Sequence, residues 1–126
     1  MCLHSQEIVI VADKRFPLNT LTQEEVKAFF LNKKSFIQKK RVLVMNHEYG
    51  DEIRSCFEKV ILHKTKKSLQ RYWRKAYYQG HRPPKVIKST SMLLSYLYQV
   101  SPAIGYMHST QLRDKKLKIL YRTECP

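Results

Sequence analysis

The sequence predicts an α/β fold in which a mixed sheet is flanked by helices, and three observations carry that expectation. Ile8-Val-Ile-Val-Ala12 is a continuous apolar run of strand length, the pattern of a strand covered on both faces. Arg41 to Leu62 reads as strand, tight loop and helix in that order. Beyond it, helical stripes and β-rich runs keep alternating, which indicates α/β or α+β architecture rather than a bundle.

After the first strand, Asp13 to Asn19, with Pro17, is a loop. Leu21-Thr-Gln-Glu-Glu25-Val26 carries a complete helix-start signature: Thr22 as N-cap, Glu25 completing the capping box, Leu21 able to staple onto Val26. That helix buries Val26, Phe29 and Phe30 and fades into Asn32-Lys-Lys-Ser35. Arg41-Val-Leu-Val-Met45 is the next strand, Asn46-His-Glu-Tyr-Gly50 turns the chain, and Asp51 opens a helix with apolar residues at Ile53, Cys56, Phe57, Val60 and Ile61. Thr65 or Ser68 starts another, with an inward stripe of Leu69, Tyr72, Trp73, Ala76 and Tyr77 and a closing Gly80. His81-Arg-Pro-Pro84 is a stiff crossover. Ser89 or Thr90 begins a helix with Leu93, Leu97 and Val100 inward, stopped before Pro102. Ala103 to Met107 and Leu117 to Leu120 read as closing strands.

The 126 residues suffice for one domain, 1–126, and are too few for two ordinary ones. No apolar run approaches the roughly 20 residues needed to cross a bilayer, and no leader is visible before the first strand. Cys2, Cys56 and Cys125 form no C-x-x-C pair and leave one thiol over, so neither a disulfide scaffold nor a zinc framework is expected. Cys56 reads as a packing residue, and Cys2 and Cys125 would pair only if the termini met. The net charge of +14 is uneven: no acid stands between Glu58 and Asp114, a span holding Lys59, Lys64, Arg71, Arg82, Lys85 and other cations. Such a field attracts anions, though a solvated lysine-rich surface is the simplest reading. The basic residues carry no recognisable nucleic-acid motif.

No catalytic constellation emerges. His4, His47, His63, His81 and His108 never fall at i, i+4 around a carboxylate, and there is no G-x-S-x-G, G-x-G-x-x-G or G-x-x-x-x-G-K-[ST]. The expectation is a non-enzyme with no cofactor and no metal. The one suggestive place is the glycine-gated helix start after the second strand. There free backbone N–H groups and the positive end of the helix dipole would face a small anion, with Arg54 one turn in.

The succession resembles the substrate-binding proteins of phosphate ABC transporters, within the type II periplasmic binding protein fold. The landmarks, over about 8–107, are Ile8 to Pro17, Phe30-Leu31, the pattern Gly50, Arg54, Phe57, then Tyr72-Trp73 with Gly80, Arg82, Pro83 and Pro84, and last Ser101-Pro-Ala-Ile-Gly-Tyr106. The resemblance implies a single lobe of a two-lobed clamshell, a periplasmic address, ABC transporter membrane components as partners and a phosphate-like ligand at Asn46, His47, Gly50, Asp51 and Arg54.

Two departures shape the expected function. The chain has length for one lobe, and the family's loop carries small hydroxyl residues after an arginine, whereas here His47 stands at the arginine and Asp51, Glu52 and Ile53 follow Gly50. Acids at a helix N-terminus already satisfy its dipole and repel a dianion, so Asp51 reads first as an N-cap. Weak anion binding without catalysis is therefore expected. The alternatives are a ligand-free interaction protein, with two copies rebuilding a cleft as a homodimer, and a basic surface for nucleic acid or another polyanion.

Overall fold

The structure, a computed structural model, describes residues 6–112 and 116–126. Cys2, His4 and Asp114, named above, lie outside the described residues. Seven strands and four α-helices follow one another as β1 (Gln6–Asp13), α1 (Gln23–Phe30), β2 (Phe36–Ile37), β3 (Lys40–Arg41), β4 (Leu43–Asn46), α2 (Glu52–Phe57), α3 (Lys66–Tyr78), β5 (Lys85–Val86), α4 (Thr90–Gln99), β6 (Ala103–His108) and β7 (Leu117–Cys125) among the described residues. Five strands form one mixed sheet in the order β5-β4-β6-β1-β7. β4 runs parallel to β5 and β6, and β1 antiparallel to β6 and β7. The expected strands Ile8–Ala12 and Arg41–Met45 meet in one sheet through β1 and β4, with β6 between them, but β4 begins only at Leu43 and Arg41 belongs to β3 of a separate two-stranded sheet.

The two-residue period of β1 explains the layering. Ile8, Ile10 and Ala12 enter a core with Phe29 and Phe30 of α1, Phe57 of α2 and Leu69 of α3. Val9 and Val11 enter a second core on the opposite face with Leu93 and Leu97 of α4. These five central residues of β1 are fully buried, as a strand covered on both faces must be. Gly105 in β6 is what lets α4 approach, because a Cβ there would run into the Leu93 side chain.

Helix starts follow their sequence signals. The Glu25 N–H donates to Thr22 Oγ1 at 3.1 Å and the Thr22 N–H to Glu25 Oε1 at 2.9 Å, a complete capping box. Thr65 caps α3 with Ser68 in the reciprocal role, and Ser89 caps α4. Gly80, at φ +86°, ends α3: its N–H donates to the Tyr77 carbonyl and the His81 N–H to the Ala76 carbonyl, both at 3.0 Å.

Several expectations need correcting. Tyr77 and Val100 do not point inward; they are 58% and 37% exposed, each on the last turn of its helix or just past it. The helix opened by Asp51 changes winding, with α2 passing into a π turn over Glu58–Leu62 that carries Glu58 and Leu62 inward beside Ile61. Cys56 is not a free packing thiol. It is disulfide-bonded to Cys125, because β7 extends past Leu120 and brings its end against α2. That bond also removes Cys125 as a partner for Cys2.

Candidate functional site

Parallel strands end together at their carboxyl side, and the helices that follow open a crevice there. β4 ends at Asn46, which is buried and satisfied from two directions. Its Oδ1 accepts from the His47 N–H at 2.8 Å and from the Tyr106 hydroxyl of β6 at 2.5 Å. Burial pushes the Tyr106 phenol far above its ordinary range, so it stays protonated and remains a donor. Tyr106 stacks flat on Phe57 with ring centroids 4.0 Å apart, and Phe30 packs edgewise against it. The aromatic core thereby fixes where the strand end sits.

His47 is buried against the same ring, centroids 4.6 Å apart. Its Nε2 lies 2.7 Å from the Tyr106 carbonyl. A carbonyl only accepts, so Nε2 carries the proton and donates. Desolvation holds the imidazole pKa below its ordinary value, leaving the ring neutral.

Arg54 lies one turn into α2 and is buried with Glu58. Its Nε donates to Glu58 Oε2 at 2.9 Å and its Nη1 to the His47 carbonyl at 2.7 Å. The exposed Tyr49 ring covers the guanidinium with its centroid at 3.6 Å. Among the described residues Nη2 takes no hydrogen-bond partner. Gly50, at φ +92°, makes the turn that a residue with a Cβ would resist, with nothing near enough to crowd one. Asp51 occupies the N-cap position with extended backbone, but its carboxylate makes no capping bond. It stays exposed beside Glu52.

Asn46, His47 and Arg54 are therefore joined in one buried network, while Gly50 and Asp51 sit at its exposed rim. The network also depends on Tyr106, Glu58 and Tyr49, which were not among the expected site residues. Glu58 was signalled by its i, i+4 spacing from Arg54. Tyr106 had no such signal, because only the sheet brings β6 beside β4. Arg54, expected to add a free charge, is instead held in a buried ion pair. A cleft of about 210 Å³ opens beside the network, with Asn46, Tyr49, Arg54 and Glu58 on one wall and Trp73, Pro83 and Pro84 among the rest. Among the described residues no group of three His, Cys, Asp or Glu is placed to hold a metal ion. No described helix is long and apolar enough to cross a membrane.

A mixed sheet with helices on both faces and a crevice at the carboxyl ends of its parallel strands is an open α/β architecture of the kind that seats ligands at strand ends. Solved structures give it a particular likeness. A protein from Clostridium perfringens, assigned as a phosphate ABC transporter substrate-binding protein and solved with bound phosphate, matches with a TM-score of 0.73 at 16% identity, over 92% of this chain and 44% of its own. An ABC-type phosphate transport receptor from Vibrio cholerae matches at 0.72 and 16%, over 92% and 46%. PstS from Borrelia burgdorferi matches at 0.72 and 15%, over 92% and 47%. The chain thus has the fold of one lobe of phosphate ABC transporter substrate-binding proteins and spans less than half the length of each. No family model matches the sequence, and no curated protein matches it.

Proposed function

We propose that this chain is a non-catalytic solute-binding module whose cleft beside Arg54 takes a small phosphate-like anion weakly, in connection with ABC-type transport. One observation carries the reading: an arginine with an unengaged Nη2 lines a cleft at the carboxyl ends of the parallel strands, in a lobe shaped like those of phosphate-binding proteins. The remaining Nη2 suits an oxyanion oxygen, since a hydrogen bond from a charged donor is shorter and stronger than a neutral one. Two features hold the affinity down. Glu58 neutralises Arg54 from the same wall, and Asp51 and Glu52 present negative charge nearby at the exposed start of α2. Of the other expected residues only Asn46 lines this cleft; His47, Gly50 and Asp51 stand behind or beside it, His47 holding the Arg54 guanidinium through its carbonyl.

A periplasmic address accompanies this reading and is supported by the Cys56–Cys125 bond, since disulfides persist in oxidising compartments. Isothermal calorimetry with inorganic phosphate tests the ligand. Millimolar saturation that disappears in the double variant Arg54→Gln/Glu58→Gln is the expected result; that variant leaves no orphaned charge behind. Micromolar or tighter binding by the monomer contradicts the weakness argued here. Absence of heat at millimolar phosphate removes the ligand and turns attention to a homodimer, which light scattering detects.

A further inference from the structure

The segment at Pro83 and Pro84 lines the Arg54 cleft on one side and a second, larger hollow of about 340 Å³ on the other. This second hollow lies at the amino-terminal end of β4, away from the crevice at the strands' carboxyl ends. Its apolar lining includes Leu43, Val44 and Val100 over the buried Phe29, and its charged residues are Arg41, Arg82 and Lys85. Those cations come from three separate places in the fold: β3, the crossover and β5.

None of the three has an acidic partner among the described residues; the ion pairs there use other cations. Each instead lies over an aromatic ring, Arg41 on Phe36 at 4.9 Å, Arg82 on Tyr77 at 4.6 Å and Lys85 on Tyr96 at 5.1 Å. Ring stacking restrains a cation without neutralising it. The rim near Arg82 is fixed as well: Asn32 Oδ1 accepts from the Arg82 backbone N–H at 3.3 Å and lies 3.2 Å from His81 Nδ1. The volume falls in the range of about 300–1,000 Å³ typical of organic-ligand sites, which combine apolar walls with a few oriented polar groups.

We propose that this hollow binds an organic anion with a flat apolar body, a carboxylate, sulfonate or phosphate monoester. The charged end meets Arg41, Arg82 and Lys85, and the body covers Leu43, Val44 and Val100. Inorganic phosphate suits it poorly, having nothing to place on the apolar surface. The proposal stands independently of any ligand at Arg54.

The test uses 1-anilinonaphthalene-8-sulfonate and its uncharged counterpart N-phenyl-1-naphthylamine as fluorescent probes of the folded chain at fixed ionic strength. The sulfonate is expected to saturate one site per chain, at least roughly tenfold tighter than the neutral probe, the factor of one charge-assisted contact. Arg41→Gln/Lys85→Gln changes two exposed side chains, so folding is retained and checked by melting temperature, and it is expected to weaken the sulfonate by a similar factor. Lys67→Gln/Lys75→Gln on α3 makes the same change of net charge elsewhere and is expected to leave binding intact, as is Arg54→Gln/Glu58→Gln. The proposal is overturned by absence of binding, by equal affinity for the neutral probe, or by equal weakening in the α3 variant, which would indicate the general field. Loss of binding confined to the Arg54/Glu58 variant would place the probe in the other cleft and overturn it too.

Discussion

At the scale of single residues, the Arg54–Glu58 pair decides how the site behaves. Two buried charges hold each other in place at little net gain, but either one alone is costly. Arg54→Met is expected to destabilise the fold by about 3–5 kcal/mol, because it strands the Glu58 carboxylate in the core. Arg54→Met/Glu58→Leu should recover most of that loss, and urea unfolding of both variants measures it. Equal losses in the two would mean that the pair's surroundings, and not an orphaned charge, set the cost. His47 gives a second handle through pH. Its folded pKa is depressed by burial, so the unfolded chain takes up a proton first as pH falls below its ordinary value near 6.5. The His47 contribution to stability is full above that pH and is lost as pH drops toward the folded value. His47→Gln, which keeps a donor for the Tyr106 carbonyl, should flatten part of the stability decline expected in the parent as pH falls below about 6.5. An identical decline in both proteins would assign it to other groups. The sequence showed Asn46, His47, Gly50 and Arg54 as one loop-and-helix unit because strand, turn and helix signals are local. That Arg54 is neutralised was half visible, in the Glu58 spacing. Covering by Tyr49 and anchoring by Tyr106 depend on side-chain packing and sheet order, which no local pattern states.

At the scale of elements, the disulfide ties α2, which carries Arg54, to the end of β7 across a sequence separation of 69 residues. Closing a loop of that length in the unfolded chain corresponds to about 4 kcal/mol in the chain-entropy account. Reduction, or Cys125→Ser, should therefore lower stability by about 2–4 kcal/mol and loosen β7 first. Thermal melts with and without reductant, alongside mass spectrometry of alkylated peptides, check this; free thiols at both positions and unchanged melting would show that the bond does not form. Elements with strong local chemistry were readable in advance: the capping box at Thr22, the glycine stop at Gly80 and the apolar run of β1. Others were hidden for physical reasons. The β2–β3 hairpin turns through Gln38 and Lys39 at φ +48° and +68°, without the glycine or asparagine that advertises such a turn. β5 has only two residues and no apolar run. The π turn breaks the 3.6-residue period, so the stripe read from Ile53 to Ile61 missed the inward placement of Glu58 and Leu62. The disulfide was hidden because the polar stretch Arg122-Thr-Glu124 masks the continuation of β7 to Cys125.

At the scale of the whole molecule, a net charge of +14 opposes compaction. Screening shortens the Debye length to roughly 10 Å at about 0.1 M salt, which relieves repulsion among exposed cations. The buried Arg54–Glu58 pair feels that screening far less, so raising sodium chloride from about 0.02 to about 0.5 M should raise the melting temperature. A fall would mean that exposed ion pairs outweigh the repulsion. The same charge complicates any search for an anion ligand, since phosphate also stabilises proteins by exclusion from their surface. Specific binding adds RT ln(1 + [L]/Kd) to stability, so phosphate at about ten times a millimolar Kd contributes roughly 1.4 kcal/mol. For a chain of this size that is a few degrees in the melting temperature. Phosphate and chloride compared at matched ionic strength, in the parent and in Arg54→Gln/Glu58→Gln, separate the two effects. Exclusion and screening act on both proteins alike, whereas site binding vanishes in the variant. An excess stabilisation by phosphate that survives in the variant would leave the cleft beside Arg54 without a phosphate-like ligand.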